Sequence, residues 1–333
     1  RGRAGVTVVL GLDGGGTKTH VVIADESGAL LGAATGGASN WEDVGLEGAA
    51  SAVRSVALEA LEAAGLEPGA LAASVLGMAG NDWPSDRERL GAIPSALGLG
   101  GSSEVVNDAF VALRAGANRP WGIAVVAGSG AVAAGRNAAD EEFRTLGLGS
   151  TMGDFGSAFD IADEGIRAVA EAHTGLGPQT VLTERYRTAL GRVSVEDLLE
   201  HVSRDAPAMA HLAIAVLEAA EEGDGAARAI AERAGTALGA AAGLVARTLR
   251  MQSESFEVVL AGGVLRAGCR TLELALKKEL RRSAPQAFPV RLEVPPVVGA
   301  ALRALENVGE TPGGTEHLRL SMETMQALHY GFV

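Results

Sequence analysis

Gly11-Leu12-Asp13-Gly14-Gly15-Gly16-Thr17-Lys18-Thr19 lies between two runs of β-forming residues, Val6-Thr7-Val8-Val9-Leu10 before it and His20-Val21-Val22-Ile23-Ala24 after it. Such flanks predict a hairpin closed by a wide glycine turn. Three consecutive glycines leave the backbone free to take positive φ and to bring N–H groups close to an anion. Asp13 stands at the mouth, where a carboxylate holds a divalent cation through water. Thr17 and Lys18 add a hydroxyl and a positive charge for phosphate oxygens. With Gly14, Gly15 and Gly16 they read as a nucleoside-triphosphate cradle. The alternative at this point is a glycine-rich turn with no ligand.

Two familiar phosphate cradles are excluded by spacing. A Walker loop needs G-x-x-x-x-G-K-[ST], which does not occur. A dinucleotide fingerprint needs G-x-G-x-x-G opening a helix, whereas the residues after Thr19 are strand-like.

Working outward, Ala29–Thr35 gives a third strand, and apolar residues from Leu46 to Ala64 recur at helical spacing. Short strands at Ser74–Leu76 and Glu104–Val106 alternate with helices at Asp86–Leu97 and Ala109–Ala115. The pattern then restarts. Trp121–Val126 and Ala131–Gly135 flank a second glycine turn, Ala127-Gly128-Ser129-Gly130. Helices are predicted at Ser157–Thr174, Gln179–Leu190, Ser194–Arg204, Ala206–Glu222 and Gly225–Ser253. A strand at Glu257–Leu260 runs into Ala261-Gly262-Gly263-Val264-Leu265. Thr271–Ser283, Val290–Glu293 and Val298–Leu305 complete a helix, a strand and a helix, and Leu318–His329 offers a last helix. The repeat predicts two related α/β domains, residues 1–118 and 119–333, with a ligand cleft between them.

Composition supports this class. The 333 residues suffice for two domains, and 47% hydrophobic against 4% aromatic content calls for cores of Ala, Leu and Val. Glycine numbers 46, about twice the usual ~7%, and clusters beside strands. A net charge of −13 argues against nucleic-acid or anionic-membrane partners. No signal peptide or long apolar span is evident, so the expected location is the cytoplasm. The single cysteine, Cys269, leaves no disulfide framework. The six histidines lack metal-ligand spacing.

Phosphoryl transfer needs a base for the attacking hydroxyl. Asp108, in Val106-Asn107-Asp108-Ala109, follows a strand and opens a helix, which suits either a base or a helix cap. With this residue the resemblance becomes specific. Gly11–Thr19, Ser39-Asn40-Trp41, Val106–Ala109, Ala127–Gly130 and Leu260–Leu265 occur in the order found in the N-acetylglucosamine kinase group of the BadF-type ATPase family, within the sugar kinase, heat-shock ATPase and actin superfamily. The chain resembles that group up to about Leu305.

The resemblance implies two ribonuclease H-like domains with mixed central sheets flanked by helices, ATP and Mg²⁺ as cofactors, and a small amino sugar as acceptor. It implies a homodimer. It gives Asp13 to the metal, Gly14, Gly15, Gly16, Thr17 and Lys18 to phosphates, and Gly128, Ser129 and Gly130 to a second phosphate loop. Gly262 and Gly263 would approach the adenosine. Asp108 would take the proton of the sugar 6-hydroxyl. Asn40, Asp154, Gly80 and Asn81 would line the sugar, and Trp41 would offer its ring an apolar face. Asn40-Trp41 also reads as a helix start with Trp41 as a hydrophobic staple, Asp154 as a turn residue, and Gly262-Gly263 as a strand-to-helix turn.

Gly153-Asp154-Phe155-Gly156-Ser157 departs from the family's usual Gly-Asp-Glu-Gly-Ser at Phe155. The loss of that carboxylate leaves glucose, glucosamine, N-acetylglucosamine and muropeptide-derived amino sugars open as acceptors. The family's 2-hydroxyacyl-CoA dehydratase activators carry two cluster-binding cysteines per subunit, and a chain with one cysteine does not fit them. A sugar or nucleotide sensor on the same fold and a plain ATPase are the other readings.

Overall fold

The computed structural model describes residues 6–205, 207–309 and 318–319. They fall into two compact units. One is built from the residues up to Gly122 together with those from Leu292 on, the other from Ile123–Arg291.

The first unit begins with a meander of β1 (Val8–Gly14), β2 (Thr19–Asp25) and β3 (Leu30–Gly36). Asp25 Oδ1 ties the second turn by accepting from the Ser27 and Ala29 amides, each at 3.0 Å. Helix α1 (Trp41–Ala64) follows, with its first turn set off by a positive φ of 73° at Gly45. Then come β4 (Ala73–Met78), α2 (Pro84–Ala96), β5 (Ser102–Asn107) and α3 (Asp108–Gly116). The sheet order is β3-β2-β1-β4-β5. β1 and β2 are antiparallel, as are β2 and β3, whereas β4 and β5 run parallel to β1. Residues 8–12 are wholly buried, as a central strand covered on both faces requires. Val8, Leu10 and Leu12 join Val53, Val56, Ala60, Leu90 and Ile93 in one core.

The second unit repeats that plan. Its strands are β6 (Gly122–Ala127), β7 (Ala131–Arg136) and β8 (Glu142–Arg144). Helices α4 (Ala158–Thr174), α5 (Leu182–Ala189), α6 (Val195–Asp205), α7 (Ala213–Glu222) and α8 (Gly225–Thr248) follow. β9 (Glu257–Ala261), α9 (Gly263–Arg266), α10 (Arg270–Ser283) and β10 (Phe288–Arg291) complete it. The order β10-β9-β6-β7-β8 is that of the first sheet, with β6–β10 in the places of β1–β5.

The last helix, α11 (Pro296–Asn307), corrects the expected domain limits, which carried the second domain through residue 333. It belongs to the first unit and packs on β1, β4 and α3. Every residue from Val297 to Leu305 is buried, as in a helix apolar on all sides. β1 meets it at Gly11, where a Cβ would strike the Ala301 backbone. Arg303 pairs with Glu104 at 2.6 Å and Arg114 with Glu306 at 2.6 Å, which neutralises the two charges this packing buries. Apart from Leu318 and Arg319, the expected final helix lies outside the described residues.

Candidate functional site

In the first unit, four chain segments leave the sheet at one edge, after β1, β3, β4 and β5. Parallel pairing of β1 with β4 and β5 sets three of those ends side by side, the place where open α/β sheets bind ligands. Asp13 lies opposite His20 and beside Gly77, and Gly77 lies beside Val106. Asp108 follows two residues later as the first residue of α3.

Hydrogen bonds knit these segments. Gly15 O accepts from the Ser39 and Asn40 amides at 3.0 and 3.3 Å, and Gly14 O accepts from Ala79 at 2.8 Å. Buried Thr19 donates its hydroxyl to Gly37 O at 2.7 Å and accepts from Ser39 Oγ at 2.8 Å. Trp41 Nε1 donates to Gly80 O at 2.6 Å. Gly80 has φ of 74°, and a side chain there would meet Asn40 and Trp41. Asn107 caps α3 through the Ala109 amide at 3.1 Å and donates to Asp82 Oδ1 at 3.1 Å, which fixes the start of the helix that carries Asp108.

The turn itself differs from expectation in one respect. None of Gly14, Gly15 and Gly16 takes a positive φ. Gly14 is glycine for packing, since its Cβ would lie 2.5 Å from Ser39 Oγ and 2.9 Å from Met78 Sδ. Gly15 and Gly16 are different: their Cβ positions stay 3.4 Å or more from other atoms. Neither conformation nor packing requires glycine there, so the turn presents open backbone that a ligand could approach.

Burial first, and the Asp108 charge second, push the Asp13 carboxyl from 3.8 up to about 7. That places the two carboxylates in one electrostatic site. His20 Nδ1 stands 4.0 Å from Asp13 Oδ2, and burial together with Lys18 holds its imidazole below the usual 6.5. Among the described residues, no three His, Cys, Asp or Glu side chains are grouped to hold a metal. Two carboxylates suit Mg²⁺, which is bound through one or two carboxylates plus phosphates and water rather than by a protein cage.

Asn40 caps α1 through Glu42 at 3.2 Å and donates to Asp43 at 2.9 Å, so its amide is engaged locally. Asn81 is 7% exposed, and its side chain makes no hydrogen bond to a described residue.

In the second unit, β6 and β9 are paired with Val126 beside Ala261, so the Ala127–Gly130 turn and Gly262 share an edge. Gly262 has φ of 93° and abuts the Ala127 backbone, which accounts for that glycine. Gly128, Gly130 and Gly263 have ordinary φ and nothing within 4 Å of a Cβ, like Gly15 and Gly16. Ser129 is exposed on this turn. The Ala158 amide donates to Gly128 O at 2.8 Å and fastens the start of α4 to the turn. Asp154 Oδ2 accepts from Gly147 and Leu148 at 2.8 and 3.2 Å and closes its own loop. The Arg233 guanidinium lies 4.1 Å from the centre of the Phe155 ring and pairs with Glu164 at 3.0 Å.

Sequence reasoning missed His20, Asp82 and Asp86. Counting across the hairpin from Asp13 would have found His20. Asp86 accepts from the Asp82 and Trp83 amides at 3.2 and 2.8 Å and holds the loop after Asn81. Its signal was the capping pattern ahead of α2.

Comparisons with known proteins give a family and several relatives. The model of the BadF/BadG/BcrA/BcrD ATPase family matches residues 10–304. The N-acetylmuramic acid/N-acetylglucosamine kinase of Clostridium acetobutylicum is 31% identical over 260 residues, 77% of this chain and 85% of that protein. The N-acetyl-D-glucosamine kinase of Dictyostelium discoideum is 29% identical over 316 residues, 90% of this chain and 98% of that one. A solved structure of a candidate N-acetylglucosamine kinase from Chromobacterium violaceum is similar with a TM-score of 0.67 at 26% identity, covering 89% of this chain and 98% of the other. A ROK family glucokinase from Streptomyces griseus shares the fold, at 19% identity and a TM-score of 0.54, over 91% of this chain and all of that one.

Proposed function

The chain belongs to the BadF/BadG/BcrA/BcrD ATPase family, and we propose that it is an ATP-dependent amino sugar kinase that makes N-acetylglucosamine 6-phosphate from N-acetylglucosamine. Glucosamine and glucose are the alternative acceptors. The observation that carries this reading is Asp108 beside Asp13 at the strand ends of the first unit.

Each unit has its share of the work. In the first, Asn81, Asn40 and Trp41 take the sugar. Asp108 orients its 6-hydroxyl and accepts the proton as the oxygen bonds to the γ-phosphorus and ADP leaves. Gly15, Gly16, Thr17 and Lys18 contact phosphate oxygens. In the second, Gly128, Ser129 and Gly130 contact phosphate, and open Gly263, with Gly262 shaping its turn, lies where adenosine can approach the backbone. Asp154 lines the sugar through the carboxylate oxygen its loop leaves unused. Mg²⁺, with Asp13 as its protein ligand, would neutralise charge on the phosphates. The Asp13 proton must leave before a cation binds, so Mg²⁺ affinity is expected to rise as pH passes 7.

We also assign the enzyme to the cytoplasm, where ATP is available, and to a homodimer, with nucleic acid excluded as a partner by the charge of −13. Among the described residues no helix is long and apolar enough to cross a membrane.

Phosphorus NMR of N-acetylglucosamine incubated with Mg·ATP tests the assignment. The expected product is a phosphomonoester on O6. Release of inorganic phosphate alone would replace the kinase with an ATPase.

A further inference from the structure

The chain has three tryptophans, and they stand in two different states. Trp41 and Trp121 are half-buried, and each has a guanidinium against its ring, Arg89 at 5.3 Å and Arg119 at 4.9 Å from the centre. Trp41 also donates its indole N–H to Gly80 O. Trp83 is 49% exposed, and its indole makes no hydrogen bond and no ring contact among the described residues. A lone exposed apolar side chain is ordinary. What sets Trp83 apart is where it is mounted and how firmly.

Trp83 ends the loop that leaves β4, two residues after Asn81. That loop is tied on both sides. From the start of α1, Trp41 holds Gly80 O at 2.6 Å. From the start of α3, the Asn107 side chain donates to Asp82 Oδ1 at 3.1 Å, and Asn107 immediately precedes Asp108. Trp83 itself is pinned through its backbone. Its amide donates to Asp86 Oδ2 at 2.8 Å, and its carbonyl accepts from the Asp86 and Arg87 amides at 3.0 and 3.2 Å. Pro84 follows and confines it to extended backbone, observed at φ −116° and ψ 158°. An indole on a fixed backbone has two torsions left to order, so it presents a large apolar face at low entropic cost.

We propose that Trp83 is an aromatic platform of the acceptor site and stacks on the C–H face of the pyranose ring whose 6-hydroxyl meets Asp108. This rests on the kinase reading above. A pyranose carries hydroxyls around its rim and C–H bonds on its faces. Polar groups such as Asn81 and Asp108 answer the rim, and a face calls for an apolar partner. Trp41 has spent its N–H on Gly80 O and has Arg89 against its ring. Trp83 has its ring uncovered among the described residues, and its indole N–H adds a donor for an acceptor oxygen.

The test follows tryptophan fluorescence of the full chain, without nucleotide, as N-acetylglucosamine, glucosamine or glucose is added. Wild type is expected to change its emission with at least one of these sugars. Trp83→Phe should lose most of that change and keep calorimetric affinity within a few-fold, because a phenyl ring still stacks. Trp83→Ala should weaken sugar binding by roughly tenfold or more, the scale of losing one buried apolar side chain. Its kcat/KM for the sugar should fall mainly through KM, with ATP affinity unchanged. Equal sugar affinity in wild type and Trp83→Ala would overturn the proposal. So would a Trp83→Phe variant as weak as Trp83→Ala, or a wild type whose emission none of the three sugars alters. Sugar binding that depends on Trp83, with no phosphomonoester formed from Mg·ATP, would support the platform and count against the kinase reading alone.

Discussion

Asp13 carries its proton to about pH 7 in the folded chain and to 3.8 in a model peptide. The stability this group lends is whole below the lower value and is lost as pH rises through the upper one. Metal-free Asp13→Asn should therefore melt with wild type near pH 4 and above it near pH 8. A difference of about 1 kcal/mol at pH 8 would shift the midpoint by roughly 2–4 °C. Equal midpoints at both pH values would remove the electrostatic account of Asp13. For Asp108 the expectation is kinetic. Asp108→Asn keeps the shape of the side chain and removes the proton acceptor, so turnover should fall by roughly 10²-fold or more. The two aspartates were legible in the sequence because each stands beside a glycine turn or a strand-to-helix junction. His20 and Asp82 were less so, because register and folding across distant segments place them beside Asp13 and Asn107.

At the scale of the element, the turn after β1 separates two uses of one residue type. Gly14→Ala must push against Ser39 and Met78 and should cost about 1–3 kcal/mol. Gly16→Ala meets nothing nearer than Asp43 Oδ2 at 3.5 Å, so stability should stay within about 0.5 kcal/mol while ATP affinity falls. Thermal melts and nucleotide titrations of both variants check this, and normal ATP binding by Gly16→Ala would remove the turn from the phosphate site. The helices were readable from their apolar period, and the central strands β1, β4 and β9 from continuous apolar runs buried on both faces. β8 escaped because it has three half-exposed or exposed residues. The predicted helix Ala206–Glu222 is shorter: a 3₁₀ turn at Ala210–Leu212 leads into α7, which begins at Ala213. The predicted helix Gly225–Ser253 ends at Thr248.

At the scale of the whole molecule, the same strand order appears twice, and the chain returns to its first unit only at α11. Apolar spacing announced that helix but not which sheet it covers. Only the fold shows that Gly11 of β1 receives its backbone at Ala301. The central claim is that this repeated α/β architecture transfers phosphate to an amino sugar with Asp108 as base. The most direct measurement is ADP release from Mg·ATP by wild type and Asp108→Asn, each with and without N-acetylglucosamine, N-acetylmuramic acid, glucosamine and glucose. The account predicts release stimulated by an amino sugar in wild type and reduced by roughly 10²-fold in the variant. Release that no sugar stimulates, or equal stimulated release by the two proteins, would contradict it.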